Sequence, residues 1–426
     1  MESIVLLVLT TFLLVFFVFS VYNIPVVATG FLRVWRNRKK EKDSLESGEM
    51  KLPFVSIIVP VKNEEKVVGR LLDALANLNY PSGKREVIVV NDASTDNTRE
   101  ICRQYSLFHP GVRVLDKAFS TTKAGALNFG LGYANGDIIA TFDGDSVPEP
   151  DALLRAVKYF GDPCVAAVQG RICSINASQN MLTRFLSYEG SIQYELYLQG
   201  KDALDLYVGL AGTCQFIRKE ALNSIGGWNE DCLGEDTDVS IKLIEQGKVI
   251  RYASEVRTFE ESPFNVKSLL AQRARWYRGN IEVGLRFGRL MKRPNLRRFD
   301  AEMTLFGTFM ILLCVLNYFA PFWAFSVPSS SVTTVLAQVT SFLTLLCLGV
   351  IGVALAFMTK PFRLRNVLWL PFIYLYWGFQ SFIAMFALFE IVLRRKKQWR
   401  KTEHSGKVTG IREREKQLSL VMMIEG

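Results

Sequence analysis

The chain is 426 residues long and 49% hydrophobic, with 51 Lys and Arg against 41 Asp and Glu for a net charge of +10. Apolar content of this size excludes a disordered or collagenous chain, and seven cysteines over this length are too sparse for a disulfide scaffold. The basic residues flank long uncharged stretches at 33–42, 292–298, 360–365 and 394–401, a pattern that points to a lipid bilayer and argues against nucleic acid as a partner.

Residues 4–32 carry no charge and hold LLVLTTFLLVFFVFSVY, more than the ~20 residues a helix needs to cross ~30 Å of hydrocarbon. Residues 1–32 are therefore expected to form an N-terminal transmembrane helix, and RVWRNRKK to open a basic cytosolic linker over 33–51. The apolar core is too long for a secretory signal, and no small-residue cleavage site follows it.

From 52 to 280 short apolar runs alternate with helical patterns, the signature of an α/β domain. FVSIIVP reads as a buried strand. EEKVVGRLLDALANL places Val67, Val68, Leu71, Leu72, Leu75 and Leu78 on one helical face. REVIVV is a second strand, STDNTREICRQY a helix behind Ser, Thr and Asp caps, KAGALNFGLGYA another helix, and DIIATF a strand running into Asp143. Strand, helix and strand repeated in this way predict a largely parallel sheet with ligands at the carboxyl ends of its strands.

Residues 281–302 are basic and amphipathic, as expected of interfacial helices. A C-terminal transmembrane module is expected over 303–393. Residues 303–359 contain no acid or base, enough for two spans with VPSSS as the turn, and 366–389 are a third apolar stretch. A third simple crossing would put LRRKKQWRK outside, against the positive-inside preference, so Pro371 is expected to break the stretch into an interfacial or re-entrant segment. The basic tail, 394–426, then stays cytosolic.

Four short acidic or basic motifs carry the chemistry. NDAS at 91–94 and FDGDS at 142–146 follow apolar strands, so their acids point into the crevice. Asp143 and Asp145, with Gly144 between them, can hold one hard divalent ion that also binds a ligand's phosphates. Glu235 and Asp236 open a helix, where one carboxylate can take a proton from an acceptor hydroxyl. In QRARW, at 272–276, Arg273 and Arg275 can neutralise phosphate and Trp276 offers a flat face to a sugar ring. With only His109 and His404 and no CxxC pair, a zinc site or a histidine-dependent nucleophile is not expected.

Taken in order, KNEE after a strand, NDAS, FDGDS, GTCQFIRKEAL with GGWNE, GEDTD and QRARW resemble the membrane-embedded inverting family-2 glycosyltransferases, the group of cellulose, chitin, hyaluronan and poly-N-acetylglucosamine synthases. The resemblance implies a GT-A-like, Rossmann-type catalytic domain in the cytosol, held between N- and C-terminal transmembrane helices of a multi-pass cell-membrane protein. It further implies a UDP-sugar donor, with Asp92 on the nucleoside beside Pro60, Asn63 and Glu64, and Lys123 on the diphosphate. Asp143 would sit by the nucleotide and, with Asp145, bind Mg²⁺ or Mn²⁺. Asp236 would be the base beside Glu235; Gln272, Arg275 and Trp276 would close over the pyrophosphate and acceptor end; Gly212, Thr213 and Cys214 would border the acceptor terminus. The leading expectation is a processive synthase of a β-linked polysaccharide with coupled translocation. A single-addition enzyme making a membrane glycolipid is the alternative, and a transporter or nucleotide-binding scaffold the least favoured. A single N-terminal span and the lack of an appended regulatory domain are expected, departures from these relatives that bear on which sugar is used and on whether the product is a polymer.

Overall fold

Runs of β-branched residues build the centre of the sheet. In the computed structural model, VSIIVPV forms β1 (Val55–Val61) and REVIVVN forms β2 (Arg85–Asn91), parallel, with Val55 opposite Arg85. β3 (Val112–Asp116) continues the parallel array beside β2, and β4 (Ile138–Thr141) beside β1. Each parallel crossover carries a helix: α2 (Val68–Ala76), α3 (Thr98–Phe108) and α4 (Lys123–Leu131). All six apolar positions assigned to the face of the first of these are buried.

The second half departs from the expected parallel sheet. After β5 (Val147–Pro148), α5 (Ala152–Val157) and β6 (Val165–Ser174), the chain makes a helical excursion through α6 (Met181–Ser191), a π-helical segment Ile192–Leu198 and α7 (Gln199–Ala203). It re-enters the sheet as β7 (Gln215–Arg218), antiparallel to both β4 and β6. After α8 (Lys219–Ser224) and α9 (Glu235–Glu245), β8 (Val249–Glu260) lies parallel to β6 and antiparallel to β5. The sheet is mixed, in the order β3-β2-β1-β4-β7-β6-β8-β5. The reversal at β7 puts the loop preceding it, 211–214, beside the carboxyl end of β4, where FDGDS begins.

The structure describes residues 2–37, 51–286, 290–324, 364–395 and 402–407, with isolated helical positions between 338 and 353. Most of the basic linker, the VPSSS turn, the second of the paired spans and the tail beyond 407 lie outside these. α1 (Glu2–Asn37) runs past the expected end at residue 32; at 36 residues it is about 54 Å long. Its second half packs on the catalytic unit. A Cβ on Gly30 would lie 2.0 Å from the Leu196 carbonyl oxygen and one on Gly200 1.9 Å from that of Val26, so the two backbones touch. Arg33 pairs with Asp202 at 3.0 Å, and the Tyr22 hydroxyl donates to Asp300, which also forms a buried pair with Lys201 at 3.0 Å.

α10 (Val266–Arg286) crosses the expected domain boundary at 280 unbroken, and α11 (Leu296–Ala324) follows. Pro371 does not break the last apolar stretch: it stands in the first turn of α12 (Leu370–Val392), where its missing N–H is not needed. Among the described residues two helical stretches, Phe17–Arg36 and Leu364–Val392, are long and apolar enough to cross a membrane. Beyond α12, residues 402–407 return to the catalytic unit: the Ser405 amide donates to Glu261 at 2.7 Å, and Gly406 packs against Lys66.

Candidate active site

The site forms where four segments end together. Thr122 caps α4 by accepting from the Gly125 amide, which sets Lys123 at the helix start. The Lys123 ammonium is 2.5 Å from Asp143 and 3.9 Å from Glu235, and donates to the Gly212 carbonyl at 3.2 Å. Burial opposes its charge, but the surrounding carboxylates of Asp143, Glu235 and Asp236 prevail and raise its pKa. Gly212 has φ +79°, and a Cβ there would stand 3.0 Å from the Lys123 nitrogen and 3.4 Å from an Asp236 oxygen. Glycine is required by both the backbone conformation and the space.

Glu235 and Asp236 begin α9 directly after Gly234. Glu235 is driven up to about 7 by burial and then by Asp236, with Lys123 opposing. Asp236 is also raised by burial, against Lys123, the Thr237 amide it accepts from and Arg275. α10 presents Gln272, Arg275, Trp276 and Gly279 at helical spacing, and Gly279 touches Gly234 so closely that a Cβ would come within 2.6 Å of the Gly234 nitrogen. This glycine contact brings Arg275 to the acid pair. The Arg275 Nε is buried and without a hydrogen-bond partner among the described residues. Trp276 is 42% exposed.

The other expected residues divide. Asn63, at φ 52°, and Glu64 line a cavity of about 450 Å³ together with Lys66, Asp96, Phe264 and His404. Gly144 packs on Glu64, tying FDGDS to that cavity wall. Pro60 stays within β1, opposite Val90. Asp92 is 5% exposed and already accepts from the Thr121 amide and the Ser120 hydroxyl, beside Lys117 at 3.3 Å. Thr213 accepts from the Asp143 amide and donates to Glu260 at 2.7 Å. Cys214 turns its thiol into the core beside Val256, where burial pushes its pKa up and the side chain packs the sheet.

Asp143 and Asp145 face different partners. Asp143 turns to Lys123, whereas Asp145 accepts from the Glu261 amide at 3.0 Å and meets His404 at 3.5 Å. Glu260 stands behind them, pushed up to about 8 by burial and by Asp145 and Asp143. The carboxylate oxygens of Asp143 and Asp145 suit a hard divalent ion by donor chemistry, but Lys123 already pairs with Asp143. Among the described residues no three His, Cys, Asp or Glu side chains gather on one point.

Sequence reasoning missed Glu260, Glu261, Arg70 and His404. Glu260 ends β8, so the rule that drew attention to Asp92 and Asp143, an acid at a strand's carboxyl end, applies to it equally. Arg70 pairs with Glu261 at 2.8 Å across 191 residues, and no sequence signal joins them.

The mixed sheet places an acid- and lysine-lined crevice at its strand ends. Residues 56–226 match Glycosyl transferase family 2, and the chain carries a glycosyltransferase family 2 domain there. It is 36% identical over 265 residues to a Beta-monoglucosyldiacylglycerol synthase of Nostoc sp., covering 62% of this chain and 56% of that one. It is 28% identical over 282 residues to Glucomannan 4-beta-mannosyltransferase 7 of Arabidopsis thaliana, covering 63% and 50% respectively. The chain thus spans about half to just under two thirds of the length of the curated relatives it matches. Among solved structures it is similar to the Mannosyltransferase PcManGT from Pyrobaculum calidifontis in complex with GDP-Man and Mn²⁺, with a TM-score of 0.59 and 21% identity over 91% of this chain and all of that one. The fold is therefore GT-A-like.

Proposed function

We propose that the chain is a membrane-bound inverting glycosyltransferase that moves one hexosyl group from a UDP-sugar to the hydroxyl of a diacylglycerol-type lipid. The observation that carries the reaction is the meeting of Asp236 and Lys123 across Gly212: a carboxylate and an ammonium flank one small space, with Arg275 on its rim. The acceptor oxygen attacks C1 of the sugar, the C1–O bond to the diphosphate breaks, and UDP leaves with the electron pair. Asp236 takes the hydroxyl proton, while Lys123 and Arg275 stabilise the charge that grows on the leaving diphosphate. One displacement inverts the anomeric centre. A divalent ion, Mg²⁺ or Mn²⁺, held by Asp143 and Asp145 would add Lewis-acid stabilisation of the same phosphates.

The similarity to the Nostoc glycolipid synthase supports a lipid acceptor, as does the packing of α10, which carries Trp276, against the apolar α11 through Tyr277, Ile281, Phe309 and Leu312. A growing polysaccharide is the second reading, supported by the similarity to the glucomannan enzyme. On this reading the protein sits in the cell membrane with its catalytic unit in the cytosol. Purified protein given a panel of UDP-sugars and 1,2-dioleoylglycerol in mixed micelles should yield a monoglycosylated lipid with inverted anomeric configuration. Enzyme-bound chains of many sugars would move the assignment to the polymer reading, and no transfer from any donor would reject both.

A further inference from the structure

A second polar cluster lies outside the crevice, where α6, α10 and α12 meet. Glu189 on α6 accepts from Arg273 at 2.5 Å and from the Tyr376 hydroxyl of α12 at 3.2 Å. Tyr376 in turn accepts from the Gln380 side-chain amide, whose oxygen accepts from the Tyr277 hydroxyl of α10 at 3.1 Å. Tyr376 and Gln380 are buried, 9% and 2% exposed, on a helix made otherwise almost wholly of apolar residues. Each group in this chain of bonds donates in one direction, ending at Glu189, which carries the only negative charge in it. At the same point the Arg273 guanidinium lies 4.5 Å from the centre of the Trp276 ring.

The Arg273 and Glu189 side chains are only 13% and 25% exposed, and a charge pair so far withdrawn from water beside the apolar α12 is costly to keep for packing alone. We infer that Glu189, held by Tyr376 and Gln380 of α12, is a positioning residue: it fixes Arg273 beneath the Trp276 indole and so sets the attitude of the platform that receives the acceptor. The inference rests on Trp276 contacting the acceptor, as proposed above. Arg273 covers one face of the ring, and the indole is still 42% exposed and so able to meet a ligand. It also ties the last apolar helix to acceptor recognition by named bonds, since α12 supplies two of the hydroxyl and amide groups that orient Glu189.

Glu189→Gln keeps the shape and removes the charge. With UDP-glucose as donor and 1,2-dioleoylglycerol as acceptor, the acceptor KM should rise about tenfold, the loss expected from weakening one charge-assisted hydrogen bond, while the donor KM stays within twofold. Glu189→Asp should recover part of the affinity, and Tyr376→Phe should give a smaller rise of the same kind. A purely structural role would lower thermal stability and turnover without separating the two KM values. Trp276→Ala measured alongside separates the two claims. If Trp276→Ala raises the acceptor KM and folded Glu189→Gln does not, the positioning role is refuted alone. If Trp276→Ala leaves the acceptor KM unchanged, the platform assignment fails, and this inference with it.

Discussion

Replacing Lys123 by Met should move the acid limb of the pH profile for transfer upward. Lys123 is the cation that holds Glu235 and Asp236 down against burial, at 3.9 Å from a Glu235 oxygen. At that separation and an effective dielectric near 20, the attraction is about 4 kcal/mol, or about three pKa units. The Asp143 side of the amine is a third exposed, which admits water, so a rise of about one to two units is expected. The assay is kcat/KM for the acceptor from pH 5.5 to 9.5 at saturating donor. Thermal stability gives a second reading with a definite sign. The folded acid pair titrates above its unfolded values, so between those values and the folded ones the native chain holds protons that the unfolded chain releases. Stability from this pair is therefore fully present at the acidic end and falls as pH rises through the folded values, over a wider pH range and by a larger total in the variant. An acid limb that stays in place in a folded Lys123→Met protein would refute the electrostatic role given to Lys123.

Asp236→Asn should lower transfer about 10²- to 10⁴-fold with donor binding retained, measured by turnover beside UDP-sugar calorimetry; near-normal turnover would leave Asp236 a helix-start residue only. Gly279→Ala should force α10 from Gly234 and cost about 1–3 kcal/mol, together with a fall in turnover, read by thermal melts and kinetics. Excess chelator should abolish activity, with recovery on adding Mg²⁺ or Mn²⁺; full activity without a divalent ion would remove Asp143 and Asp145 from that role. Single cysteines placed at the exposed Lys407 and on the surface of α3 should be labelled from the same side of the membrane, because residues 402–407 rest on the catalytic unit.

The parts of the fold legible in the sequence were those governed by local periodicity. β1, β2, β4 and the face of α2 follow from runs and spacings within about fifteen residues. The reversal at β7 did not, since a short strand reads the same in either direction and its orientation is set by the long excursion through α6 and α7. Pro371 misled because a proline inside an apolar run and one in a first turn differ only in where the helix starts, which the preceding Leu364–Trp369 turn decides. In the site, Lys123, Asp143, Glu235 and Asp236 lie within motifs, and the fold brings them together. The His404 contact with Asp145 joins residues 259 positions apart, and two histidines in 426 residues gave no pattern to find it by.

The seating of α1 has a practical side. Trimming a membrane enzyme to a free-standing catalytic fragment presumes that the anchor is a tether. Here, cutting before residue 51 would strip Arg33 from Asp202 and Tyr22 from Asp300, and would bare the backbone groove at Leu196 and Gly200 that Val26 and Gly30 fill. Such a fragment should be sticky and easily melted. Replacing only the residues ahead of Tyr22 with another apolar helix would exchange the anchor while keeping the docked half.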